Sequence, residues 1–303
     1  MHPARGIALK LASVLLFIVM AALIKATAGR VPPGEAVFFR SFFAMPVIVV
    51  WLALRGDLST GLRVNRPMGH VWRGIVGTSA MGCTFAALGM LPLPDVTAIG
   101  YAAPLLTVIL AAVMLGERLR LFRMTAVALG LVGVLVVLWP RLSLGSATEG
   151  AALGAGLALA SAALRALAQI HIRRLVQTDQ TSAIVFYFSL TATGFAALTA
   201  PFGWVWPTPA EAALLVAAGL LGGIAQILLT AAYRHADASV LAPFEYASML
   251  FALAIGYLVF AEIPTGQMLV GAGLIMAAGG VIIWRERQIG VRSRARSELN
   301  PQG

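Results

Sequence analysis

An ionisable side chain inside an apolar segment is costly to place, so each one marks a point where function or a partner must compensate. Three stand well inside long apolar runs of this chain: Arg40, Arg165 and Glu245. A zwitterion needs one cationic and one anionic partner, and Arg165 with Glu245 offers both. The same two residues could instead form an ion pair that only orients the helices, and both readings stay open. Glu245 follows Pro243 early in its segment, where backbone N–H groups favour a carboxylate; proton coupling by Glu245 is a further expectation. Arg40, about 7.5 Å from one membrane face at 1.5 Å per residue, and Glu35, nearer that face, read as a gate or an ion-pair anchor. Polar stripes add candidates. Ser161, Arg165 and Gln169 recur every fourth residue, as do Ser79 with Cys83 and Thr97 with Tyr101, while Gly219, Gly222, Gly223 and Gln226 mark another face. Such stripes face protein or a cavity, not lipid. For the glycines close helix packing is the expectation; for Tyr101, Gln226 and Tyr246 a cavity wall and packing are equally open. The candidate binding set is Ser79, Cys83, Tyr101, Arg165, Gln169, Gln226, Glu245 and Tyr246.

Other chemistry is missing from the sequence. Cys83 is the single cysteine, which excludes an intrachain disulfide, and the four histidines (His2, His70, His171, His235) are scattered. No metal-ligand spacing and no phosphate-binding GxxxxGK[ST] loop occurs. No serine or cysteine has a base near it in sequence. An enzyme is not expected, nor any cofactor or metal.

The elements that must carry these residues follow from composition. The chain has 303 residues, 60% hydrophobic and 11% charged, with mean hydropathy +0.90. A soluble protein is roughly 25% charged, so this chain belongs in a lipid bilayer. A membrane helix needs about 20 apolar residues. Ten segments approach that length: 7–28, 35–54, 71–91, 95–115, 122–139, 150–172, 182–201, 211–232, 238–260 and 266–284. They are continuously apolar rather than alternating, so an all-α integral membrane protein is expected, not a barrel. Ala26-Thr27-Ala28 resembles a cleavage site, but the preceding apolar run is too long for a signal peptide and Lys25 interrupts it.

The net charge of +10 then reads as topology rather than as a nucleic-acid footprint. With the N-terminus inside, seventeen lysines and arginines, Lys10 and Arg73 among them, fall on the cytoplasmic side. Only Lys25, Arg30 and Arg141 fall outside. The positive-inside rule therefore puts both termini in the cytoplasm, with the basic tail after Trp284 as an anchor. Trp204 and Trp206 read as interfacial anchors. Pro46 and Pro104 are possible kinks.

The second half repeats the first. Leu115-Gly116-Glu117 is followed by Trp139, and Phe260-Ala261-Glu262 by Trp284, each glutamate–tryptophan spacing being 22. Upstream, Pro94-Asp95-Val96-Thr97 corresponds to Ala236-Asp237-Ala238-Ser239. Two repeats, 1–145 and 146–303, each of five helices, must enter the membrane in opposite senses because five is odd. Inverted repeats of this kind are typical of secondary transporters, with the site near the midplane.

These landmarks resemble the EamA branch of the drug/metabolite transporter superfamily. The resemblance rests on FFR at Phe38–Arg40, LPLPDVTAIGYAAPL at Leu91–Leu105, LGERL at Leu115–Leu119 and ADASVLAPFEYASMLFALAIGYLVFAEIP at Ala236–Pro264. It covers nearly the whole chain. Ala261 stands where glycine is usual before Glu262 and reads as a neutral small-for-small change. The resemblance implies a bacterial inner-membrane carrier acting as a monomer on a small molecule, most like the exporters of aromatic and other neutral amino acids. Importers of riboflavin or S-adenosylmethionine share much of the pattern and are the alternative. A channel would need a continuous polar pore, which two inverted halves fit less well.

Overall fold

The computed structural model describes residues 3–115, 121–142, 149–175, 178–236 and 241–281. Glu117, Asp237–Ser239 and the basic tail lie outside them. Among the described residues the regular structure is all helical. In order it comprises α1 (Pro3–Thr27), α2 (Pro33–Leu54), the single turn α3 (Leu58–Gly61), α4 (Pro67–Met90), α5 (Leu93–Gly100), α6 (Ala102–Leu115), α7 (Leu121–Leu142), α8 (Glu149–Leu175), α9 (Thr181–Ala197) and α10 (Pro209–His235). A 3-10 turn at Ala242–Tyr246 leads into α11 (Ala247–Phe260), and α12 (Gly266–Val281) follows. Prolines open α2, α4, α5 and α10 at first-turn positions, where the missing N–H is one that a helix start leaves unpaired anyway.

Five stretches are long and apolar enough to cross a bilayer: Ala4–Thr27, Pro33–Leu54, Leu93–Leu110, Gly150–Ile172 and Pro209–Leu229. Met124–Pro140, Ser182–Ala197, Phe244–Phe260 and Gly266–Val281 are shorter apolar helices. The expectation of ten full-length spans is therefore met in half. α4 has the length, at 24 residues, but carries His70 and Arg73 among its glycines and hydroxyls.

Neighbour packing closes a ring. α1 lies along α10, α10 on α2, α2 on α9, α9 on α4, α4 on α8, α8 on α6 and α5, α5 on α11, and α11 back on α1. Outside it, α7 packs on α5, α6 and α8. α12 meets α7 where Gly133 and Gly271 face each other: a Cβ on Gly133 would stand 2.8 Å from the Gly271 carbonyl oxygen. The glycines of α10 behave likewise, since a Cβ on Gly219 would stand 3.0 Å from the Phe39 carbonyl oxygen. Polarity runs opposite to that of a soluble protein. Lys10, Ser13, Glu35, Arg40 and Ser161 are buried, while Leu135, Leu250 and Leu258 are exposed, as a lipid-facing exterior requires.

Chain reversals sort onto two faces. On one, Arg30 Nη2 pairs with Glu211 Oε2 at 2.8 Å and donates to the Trp206 carbonyl at 2.8 Å. On the same face the Val205 N–H donates to Glu35 at 3.1 Å. On the other, Asn65 donates to Asp179 and to the Thr178 carbonyl, and Ser182 to the Gly61 carbonyl at 2.7 Å. Trp206 is almost fully exposed on the Arg30 face, whereas Trp204 packs on Phe38, 5.2 Å between centroids, and donates to the Thr199 hydroxyl at 2.9 Å.

One expectation fails at Ala261. It ends α11 with φ +54° and ψ +31°, the left-handed region where a Cβ crowds the following carbonyl. Alanine there is strained, and its replacement of glycine is not neutral.

Candidate functional site

The site begins with a proline. Pro104 has no N–H to give the carbonyl four residues back, which is that of Gly100. That carbonyl instead accepts from Arg165 Nη2 at 3.3 Å. Gly100 also admits the guanidinium, because a Cβ there would stand 2.8 Å from Nη2. The span expected over 95–115 accordingly breaks at Tyr101, between α5 and α6.

The break meets a second irregularity. The Tyr101 hydroxyl hydrogen-bonds Ser248 and lies 3.5 Å from the carbonyl oxygens of Glu245 and Tyr246. The two tyrosine rings meet edge to face, 5.2 Å between centroids. Thus the broken helix α5–α6 is joined to the 3-10 turn before α11. Backbone departing from helix at membrane depth is tolerated only inside protein or against a cavity.

Charge collects at this junction. Glu245 forms an ion pair with Lys10 of α1, whose side chain is 3% exposed against 51% for Glu245. Among the described residues no ion pair joins Glu245 to Arg165, whose guanidinium bonds the Gly100 carbonyl instead. Gln169, accessible like Arg165, accepts from the Thr107 hydroxyl at 3.1 Å. Arg165, Gln169, Tyr101, Glu245 and Tyr246 are therefore brought together, with Lys10, Ser248 and Thr107 added.

Other candidates lie elsewhere. Ser161, on the same stripe as Arg165, is buried against α4, bonding the Ala80 carbonyl at 2.7 Å and Thr84 at 2.6 Å. Ser79 is exposed and Cys83 half-buried on α4. Gln226 is half-buried on α10, next to Ala225, whose carbonyl accepts from Ser13 at 2.7 Å. Glu35 is buried and accepts from Val205; Arg40 is buried on α2 and among the described residues forms no ion pair with it.

Two cations assigned to the cytoplasmic flank are misplaced by that assignment. Lys10 and the Nε and Nη1 atoms of Arg73 are buried. The signal was present, since both fall inside predicted spans, but counting them as topology charges hid it. At the Arg30 face a further pair closes the ring: Lys25 Nζ lies 2.9 Å from Glu262 Oε1 and donates to the Leu91 carbonyl at 2.6 Å. The other oxygen of Glu262 accepts from the first N–H of α5, at Leu93, at 2.9 Å.

A family model for EamA-like transporters matches the chain twice, at residues 4–139 and 152–284. The chain belongs to the EamA-like transporter family. The transporter is 31% identical to the pseudopaline exporter of Pseudomonas aeruginosa over 280 residues, covering 90% of this chain and 94% of that one. It is 28% identical to an S-adenosylmethionine uptake transporter of Rickettsia bellii, with 86% of each chain covered. It is also 29% identical to a riboflavin transporter of Rhizobium johnstonii, covering 84% and 82%. These relatives do not single out the aromatic amino-acid exporters. A solved crystal structure with 22% identity superposes at TM-score 0.66 over 94% of this chain and 99% of its own, a likeness of fold alone.

Proposed function

We propose that this transporter is a secondary carrier that exports neutral amino acids, aromatic ones included, or related small metabolites by alternating access. The observation that carries the reading is the mixed-charge cluster of Lys10, Arg165 and Glu245 beside two tyrosines, held where two broken spans meet. A zwitterion presents both charges and an apolar body, and the cluster offers partners for each. In this reading Arg165 takes the carboxylate, Glu245 the ammonium, and Tyr101, Tyr246 and Gln169 the remainder; Gln226, Ser79 and Cys83 line the approach. Arg40 and Glu35 brace the Arg30 face.

The architecture we propose is ten spans in two inverted repeats, 1–145 and 146–303. Supporting it, exchanging first with sixth span and third with eighth maps the α1–α10 packing onto α8–α4. We place the Arg30 face outside and both termini in the cytoplasm of a bacterial inner membrane, with the transporter acting as a monomer. The Lys25–Glu262 latch then closes the outer end while Glu245 stays accessible, an inward-open state.

Import of a vitamin-like metabolite is the second reading, favoured by the uptake transporter and the riboflavin transporter among the relatives. Counterflow in proteoliposomes tests both, because a carrier exchanges labelled for unlabelled substrate. Exchange of labelled phenylalanine or leucine is expected. Exchange only of riboflavin or S-adenosylmethionine favours the second reading, and failure of every amino acid refutes the first.

A further inference from the structure

Across the ring from the Lys10–Glu245 cluster, α2, α4, α9 and α10 meet around two more arginines. Arg40 of α2 is buried, and its Nε has no hydrogen-bond acceptor. Arg73 of α4 has its guanidinium carbon 4.0 Å from the Phe188 ring of α9, and neither its Nε nor its Nη1 has an acceptor. The ring covers a face of the guanidinium, not the N–H groups at its edge. The two helices that carry them, α2 and α4, pack on each other. Among the described residues, no carboxylate pairs with either. Ser41 and Thr78, on the same two helices, also have hydroxyls without a partner. Glycines make room for both cations: a Cβ on Gly222 would stand 3.3 Å from Arg40 Nε, and one on Gly77 would collide with Arg73 Nη1.

Arginine keeps its charge in a protein interior. Two such charges, each with buried N–H groups lacking an acceptor, need a counter-charge. We propose that this junction binds a small inorganic anion of the halide class, held between the guanidiniums of Arg40 and Arg73. The N–H donors without acceptors are its ligands. It lies on the opposite arc of the ring from the cargo site and does not depend on what that site carries. The anion neutralises α2 and α4 at their contact and stabilises the folded chain by mass action.

The test uses the purified full-length transporter in detergent, with sodium gluconate replaced stepwise by sodium chloride or bromide at fixed ionic strength. The melting temperature is expected to rise by several degrees and saturate with either halide. Bromide soaked into crystals should give an anomalous peak between the two guanidiniums. Arg73→Gln should abolish the shift or move its midpoint at least tenfold, while Arg66→Gln, at an exposed position, should leave it intact. If Arg73→Gln does not fold, Gly222→Ala, which crowds Arg40, should move the midpoint in the same direction. A melting temperature indifferent to the anion, a rise that never saturates, a response unchanged in Arg73→Gln or bromide density elsewhere each overturns the proposal. Stabilisation by acetate but not by halides overturns it in favour of a carboxylate ligand.

Discussion

Removing either partner of the Lys10–Glu245 pair breaks the same contact, yet the costs should differ. Lys10→Met leaves a glutamate whose side chain is 51% exposed and can hydrate, so the loss is that of an exposed pair, about 1 kcal/mol or less. Glu245→Ala leaves an ammonium that is 3% exposed and has lost its glutamate counter-charge. Breaking a buried pair in this way costs about 3–5 kcal/mol, and the lower end, about 3 kcal/mol, is the working figure. A difference of about 2 kcal/mol is roughly thirtyfold in the unfolding equilibrium. In the double variant the methionine no longer needs a counter-charge, and stability should return to within about 1 kcal/mol of Lys10→Met. Equilibrium unfolding in mixed detergent–SDS micelles, followed by tryptophan fluorescence, reads all three variants against the parent. Equal single costs, or a double variant equal to their sum, would refute the assignment of Lys10 as a buried cation held by Glu245.

Three further outcomes are expected. Gly100→Ala places a Cβ 2.8 Å from Arg165 Nη2 and should lower counterflow about tenfold or more with helical circular dichroism unchanged; full activity would detach Arg165 from the cargo. Ala261→Gly should raise stability by about 1 kcal/mol in the same SDS assay by relieving the left-handed alanine, and a loss instead would contradict that conformation. Burial pushes the Asp179 carboxyl up, but the Asn65 N–H, the Thr178 hydroxyl and His70 outweigh it and hold it below the usual carboxylate range. A depressed folded value means its contribution is complete above about pH 4 and lost as pH falls further. Melting curves from pH 6 to pH 3 should therefore be steeper for the parent than for Asp179→Asn.

The helices were legible because their apolar length is a property of local sequence. Arg165 and Glu245 stood out because charge is scarce inside the runs. What stayed hidden depends on contacts between distant segments. Pro104 announced a kink, but not that the carbonyl it frees would receive Arg165 from another helix. Ser161 and Arg165 share a stripe, yet four residues of helix separate a packing contact with α4 from the cluster. Lys10 near a span end looks like any topology charge; only its burial against Glu245 distinguishes it. Ala261 looked harmless because sequence shows side-chain size and not φ. Glu262 was legible as a repeat landmark, but its bonds to Lys25 and to the start of α5 join three segments far apart in the chain.

Lys10 and Lys25 both rise from α1, and both hold carboxylates at the two ends of the 242–262 segment, Glu245 and Glu262. Fifteen residues of helix separate the two lysines, about 22 Å at 1.5 Å each. α1 and α11 are thus spliced like two timbers bolted near both ends. A single bolt would let the pair swing; two bolts transmit torque. Separating Glu245 from Lys10 would loosen one bolt and leave Lys25–Glu262 as the fulcrum. The leverage is fixed by the fifteen-residue interval, and inserting one residue between Lys10 and Lys25 would turn the second lysine by about 100° around the helix, out of line with Glu262.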